Sequence, residues 1–134
     1  MADPRGIRNN NPTNIRHSAR FEWDGELEPD SDGFCRFTSM ALGVRAAAKN
    51  LTTKIKRGEN TIRALITAWA PADENDTESY IEAVCNSTGI TSNWPLTAKP
   101  ETLCALIKAI IRHENGGNFV SPETIAEGVA LALI

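Results

Sequence analysis

The sequence predicts an α+β fold, with a small lobe of loops and short strands over residues 1–38 and a helical lobe over residues 39–134. Three observations carry this expectation. The first 38 residues hold few aliphatics and many Asn, Pro and Gly, the composition of turns rather than helices. From residue 39 onward, apolar side chains recur at three- and four-residue intervals, the period of a helix with one buried face. Most of these stretches open at a capping residue and several stop at a glycine. At 134 residues, a single domain is expected, large enough to bury a core without metal or disulfide staples.

In chain order, the N-terminal lobe should contain two or three short strands, for example where apolar residues alternate from Phe34 to Phe37. A first helix is expected over 40–57, capped by Ser39, with Val44, Ala48, Leu51 and Ile55 inward and Gly58 at its end. A second, over 61–69 and capped by Asn60, turns Ile62, Leu65, Ile66 and Trp69 to one side. A third begins at Asp76 or Thr77, buries Tyr80, Ile81 and Val84, and stops before Gly89. The fourth carries Pro100 in its first turn, a stripe of Leu103, Leu106, Ile107, Ile110 and Ile111, and the stop Gly116-Gly117. Ser121-Pro122-Glu123 opens a last helix that buries Ile125, Val129 and Leu131.

Composition limits the function classes. Apolar residues at 41% and charged residues at 23% exclude a disordered or collagen-like chain. A net charge of −3 argues against a protein that tracks nucleic-acid phosphates. No apolar run approaches the roughly 18 residues of a membrane span. The first twenty residues lack the apolar core of a signal peptide, so synthesis in the cytosol is expected. Cys35, Cys85 and Cys104 are odd in number and lack a CxxC pair, which excludes a fully paired disulfide framework. Cys85 and Cys104 fall in helical patterns and read as small buried apolar residues. Neither His17 nor His113 stands at ligand spacing from a cysteine, so no metal or other cofactor is expected.

Glu114 is the first candidate for chemistry. It lies seven residues after Ile107, four after Ile110 and three after Ile111, which places it on the core-facing stripe within a turn of the helix end. Burial and the negative end of the helix dipole both disfavour a charged carboxylate there, the environment of a general acid. The competing structural reading turns Glu114 outward or pairs it with a cation such as Arg112. The Asn-rich run from Arg8 to Arg16 cannot be a helix or a central strand. Its Asn side chains either brace turns or offer paired donors and acceptors to sugar hydroxyl and acetamido groups. In the acidic segment from Phe21 to Asp32, Glu22, Asp24 or Glu26 are candidates for a second carboxylate opposite Glu114, as glycosidases use. Trp23 is either a core residue of the small lobe or a stacking platform for a sugar. Tyr80 is either core or a cleft hydroxyl.

Taken together, RGIRNNNPTNIR, Trp23-Asp24-Gly25, GFCRFTSMALGVRA, WAPADENDTESYIEAV and AIIRHENGG resemble a phage and prophage family of small virion-associated or lysis-linked proteins. Its members begin RGIRNNNPGNIR, so Thr13 stands where Gly is usual. The likeness spans residues 5–134. The motif set also resembles a lysozyme-like muralytic domain of the glucosaminidase and lytic transglycosylase type, in a rearranged order. HENGG is similar to the piece that ends a helix in the catalytic Glu, NNNPTNIR to an Asn-rich segment, FCRFTS to a segment entering a helix, and NDTESY to a Tyr-bearing helix. The Glu piece comes last rather than first, as a circular permutation would give.

This resemblance implies a lysozyme-like fold and cleavage of the β-1,4 glycan backbone of peptidoglycan, by a lytic transglycosylase or a muramidase. It implies Glu114 as the acid, Tyr80 as its assistant, and Asn10, Asn11 and Asn14 beside the cleft. The expected partners are peptidoglycan glycan strands, with phage tail, virion or secretion-apparatus proteins for delivery to the cell wall or periplasm. The rival expectation is a non-catalytic virion or tail component that binds cell wall.

Overall fold

The computed structural model describes residues 3–72 and 76–134. The expected turn between the second and third helices therefore lies partly outside the described residues, at Asp73, Glu74 and Asn75. Six helices and one two-stranded antiparallel sheet make up the described chain, an α+β arrangement.

The helical lobe follows its apolar spacing. Helix α2 (Met40–Lys56) starts at Ser39, whose side chain accepts from the Leu42 amide at 3.2 Å. It buries Val44, Ala48, Leu51 and Ile55. Helix α3 (Ile62–Trp69) is capped by Thr61 rather than Asn60, with Thr61 Oγ1 accepting from the Ala64 amide at 3.1 Å. The Asn60 carbonyl instead accepts from the Leu96 amide. Helix α4 (Thr77–Thr88) is capped by Asp76, and helix α6 (Pro122–Ala132) by Ser121. Leu131 is half-buried, because α6 ends within a residue or two of it.

Helix α5 (Pro100–Asn115) runs through the middle of the core, packed against α2, α4 and α6. Leu103, Leu106, Ile107, Ile110 and Ile111 are all buried on it, each stabilising the fold by about 1.5–3 kcal/mol relative to exposure. Gly116 ends α5 in the left-handed conformation, φ 76°, where a side chain would be strained. Cys85 and Cys104 are half-buried against the core, and Cys35 is fully buried; all three are free thiols.

The N-terminal lobe differs more from expectation. Residues Arg5–Arg8 form one helical turn, α1, which a Gly in four residues concealed and packing against α5 sustains. Among the described residues, only β1 (Glu26–Leu27) and β2 (Arg36–Phe37) form a ladder, pairing Glu26 with Phe37 and Leu27 with Arg36. An isolated bridge joins Arg16 to Phe34. No helix among the described residues is long and apolar enough to cross a membrane.

Candidate functional site

Three elements distant in sequence converge at the end of α5. Ile110 and Ile111 anchor the last turn, and Glu114 emerges half-buried beside them. From α4, the Tyr80 hydroxyl donates to Glu114 Oε2 at 2.7 Å. From the Asn-rich loop, the Asn14 side-chain amide donates to Glu114 Oε1 at 2.8 Å. Both carboxyl oxygens are thus held, and the plane of the group is fixed. Glu114 keeps some exposure, whereas Tyr80 is 1% exposed. Burial, and then the charge and hydrogen bond of Glu114, push the Tyr80 phenol far above its ordinary range, so it remains a protonated donor. The His113 ring lies over Tyr80, centroids 3.8 Å apart, and limits the ring's freedom.

The loop that delivers Asn14 is built from polar contacts. Asn10 and Asn14 adopt positive φ, 52° and 54°, a conformation that Asn tolerates better than most residues. Asn115, one residue after Glu114, donates to the Pro12 carbonyl at 2.8 Å. Trp69 Nε1 donates to the Thr13 carbonyl at 3.0 Å. Thr13 is fully buried without positive φ, so its backbone does not demand the Gly of the resembling sequences. Asn14 Oδ1 is buried without a hydrogen-bond partner among the described residues. Positive φ and an unpartnered oxygen at one residue are the local costs that functional sites often retain.

A cleft of about 460 Å³ opens over Glu114, lined also by Asn14, Phe21, Phe34, Asn50 and Trp69. Arg5, Arg16 and Lys54 add positive charge to its walls, and both guanidiniums lie 4.5 Å from the Phe34 ring centre. Arg5 is partly neutralised by Asp32 at 2.8 Å.

The other sequence candidates fall elsewhere. Asn11 is 0% exposed, and its side chain bonds the Ile15 amide and the Ile15 and Cys35 carbonyls, which leaves no face for a ligand. Asn10 donates to the Phe37 carbonyl at 3.1 Å and is not part of the cleft lining. Trp23 is half-buried and meets Phe21 edge to face at 4.9 Å, so it is Phe21, not Trp23, that reaches the cleft. Glu22 lines a separate surface depression with Glu26. Asp24 pairs with Arg45 at 3.2 Å. Glu26 bonds His17 and the Trp23 amide and accepts from the Cys35 thiol. Glu22, Asp24 and Glu26 are therefore not positioned opposite Glu114.

Sequence reasoning missed Phe21, Trp69, Asn50 and the cationic wall, none of which carries a periodic signal. Asn115 was detectable, because it falls four residues after Ile111 on an otherwise apolar stripe. The convergence of His17, Glu26 and Cys35 was also missed, because the spacing between them has meaning only once the strands are in register.

Fold and site together define a small α+β protein with an acid held at the end of its central helix, over a basic, aromatic-walled cleft. No family model matches the chain. It is 44% identical over 128 residues to Protein P5 of Pseudoalteromonas phage PM2, an alignment covering 92% of this chain and 79% of that protein. The chain belongs to the family of that bacteriophage protein.

Proposed function

We propose that this protein cleaves the β-1,4 glycan backbone of peptidoglycan with Glu114 as proton donor, on a lysozyme-like fold in permuted order. The observation that carries the reading is the grip on Glu114. Residues 34 and 100 positions away each commit a side-chain donor to one of its oxygens. Such a carboxyl is aimed, as proton transfer to a bound glycosidic oxygen requires.

Phe21 and Trp69 supply faces on which sugar rings stack. Arg5, Arg16 and Lys54 suit a polymer whose muramyl units and peptides carry carboxylates. In the reaction, Glu114 gives its proton to the glycosidic oxygen as the bond from C1 breaks, and positive charge develops at C1. The resulting carboxylate, steadied by Tyr80 and Asn14, faces that charge. It then takes the proton of the muramyl 6-hydroxyl, whose oxygen closes on C1 to give an anhydro product. The alternative is attack by water, which gives a reducing end. Because Glu22, Asp24 and Glu26 lie outside the cleft, the route with one acid is the version we favour.

The test is Glu114→Gln, which keeps the shape of the side chain and removes the transferable proton. Mass spectrometry of muropeptides should show anhydro ends with the wild type. Release should fall about 10²–10⁴-fold in the variant, with an unchanged melting curve. Equal release by both proteins would overturn the catalytic role.

A second reading has one observation in its favour: a carboxyl with both oxygens already bonded is also what a purely structural acid looks like. On that reading the protein is a virion component that binds cell wall without cutting it. Wild-type protein that sediments with purified walls and releases no muropeptide would select it.

A further inference from the structure

We propose that His17, Glu26 and Cys35 form a zinc site that staples the N-terminal lobe. A ring nitrogen of His17, a Glu26 oxygen and the Cys35 Sγ all lie within 4.8 Å of one another. Glu26 Oε2 is the hub, 2.8 Å from His17 Nδ1 and 3.5 Å from Cys35 Sγ. Nitrogen, oxygen and sulfur form a donor set suited to a borderline-soft cation such as Zn²⁺; calcium and magnesium prefer oxygen alone. Tetrahedral zinc with ordinary bond lengths places sulfur and oxygen ligands about 3.6 Å apart, and nitrogen and oxygen about 3.4 Å apart. The first separation is already present. The second needs the hydrogen bond from His17 to open by about 0.6 Å, through rotation of a side chain that is 40% exposed. Solvent reaches the cluster from the depression lined by His17, Glu22 and Glu26, so water can fill the fourth position.

Without metal, Glu26 Oε2 serves the ring nitrogen of His17 and the thiol hydrogen of Cys35. Zinc takes their place: the thiol proton leaves to solvent as Cys35 binds as thiolate, and the neutral imidazole binds through Nδ1 with its proton on Nε2. Because Cys35 must give up its proton to bind, binding should strengthen as pH rises.

A staple has work to do here. The three ligands sit on three neighbouring chain segments: His17 next to the Arg16–Phe34 bridge, Glu26 on β1, and Cys35 beside β2. That sheet has a ladder of two residue pairs. The loop over residues 18–25, closed between His17 and Glu26, carries Phe21 to the cleft wall. Zinc binding here is independent of what Glu114 does.

The test is titration of the purified chain with Zn²⁺ under a non-thiol reductant, followed by calorimetry, with Co²⁺ as the spectroscopic probe. One equivalent should bind with micromolar or tighter affinity and release protons. The cobalt form should show a thiolate-to-metal charge-transfer band that survives Cys85→Ser and Cys104→Ser and disappears in Cys35→Ser. His17→Ala, at an exposed position, should leave the metal-free protein folded, with at most a small drop in melting temperature from the lost Glu26 contact. It should weaken zinc binding at least about tenfold, the least that loss of even an outer-shell partner costs. Absence of binding at millimolar zinc would overturn the site. So would a cobalt band that survives Cys35→Ser, or wild-type affinity in His17→Ala; the last decides the matter if Cys35→Ser fails to fold.

Discussion

Residues 39–72 and 76–134 are held mainly by apolar burial, whereas residues 3–38 bury fewer apolar side chains and lean on polar side chains bonded to backbone. In the helical lobe, Ile107 and Ile110 are fully buried at positions their own spacing announces. In the N-terminal lobe, the polar Asn11 is as fully buried as Cys35, and it makes three hydrogen bonds to main-chain groups. A core of the first kind accepts similar apolar shapes, because dispersion and burial have no direction. A lobe of the second kind depends on particular atoms, because an unmade buried hydrogen bond is costly. Glu114 stands where the two meet, its backbone fixed by the first and its carboxyl steered by the second.

The largest effect should come from the apolar side. Ile107→Ala opens a cavity at the centre of α5 and should cost about 4 kcal/mol, read from urea unfolding. A cost under 1 kcal/mol would show that α5 is not the pillar of the fold.

How much was legible in the sequence follows the same division. The five long helices could be read because each carries its signal within itself: Ser39 before the 4-3-4 spacing of Val44, Ala48, Leu51 and Ile55, or Pro100 before the stripe that ends near Glu114. A one-residue error at the start of α3 arose because Asn60 and Thr61 are both good caps and only the backbone chooses. Helix α1 gave no pattern, since one turn is too short for a period to show. Glu114, Tyr80 and Asn14 could be named from motif likeness and helical phase. Their meeting, and the absence of Trp23, Asn10 and Asn11 from the cleft, depend on which way a loop of four Asn folds. That loop is decided by contacts with Asn115, Trp69 and Gly43, far away in the chain.

The joint between the lobes should be nearly as sensitive as the core. Gly43 on α2 lies against the backbone of the Asn-rich loop, where an added methyl would overlap the Asn10 carbonyl oxygen and crowd Pro12. Neither obstacle is a flexible side-chain end. Gly43→Ala should therefore cost about 3 kcal/mol and displace the loop from α2. A variant with wild-type stability and an unchanged Asn14 amide resonance would mean that the loop is free to shift.

Asn11→Ala tests the polar lobe directly. It strands the Ile15 amide and the Cys35 carbonyl, leaves the Ile15 carbonyl with only its bond from the Cys35 amide, and should cost about 2 kcal/mol. Its signature should be local, with amide exchange rising over residues 9–37 while α5 keeps its protection. A uniform rise throughout the molecule would show that the lobes unfold as one unit.

Acid should separate the lobes most gently. Burial pushes the Glu26 carboxyl up, but the Trp23 amide, His17 and Cys35 outweigh it and hold the group below its ordinary value of 4.5. The Phe34 amide and the Asn9 side chain hold Asp30 below 3.8 in the same way. Because both are lower in the folded state, their stabilisation is fully present above the unfolded values and is lost as pH falls through the folded ones. Among the described residues of the helical lobe, Asp76 is also lowered, by capping Ser79, and Glu78 by Arg63, but they sit exposed at the start of α4. Protonating them frays one turn, whereas protonating Glu26 and Asp30 removes ties across the small lobe. Acidifying metal-free protein from pH 6 to below about 4 should therefore open amides over residues 16–37 before those of α5. Loss of α5 protection first would mean that the polar contacts of the small lobe are not what holds it.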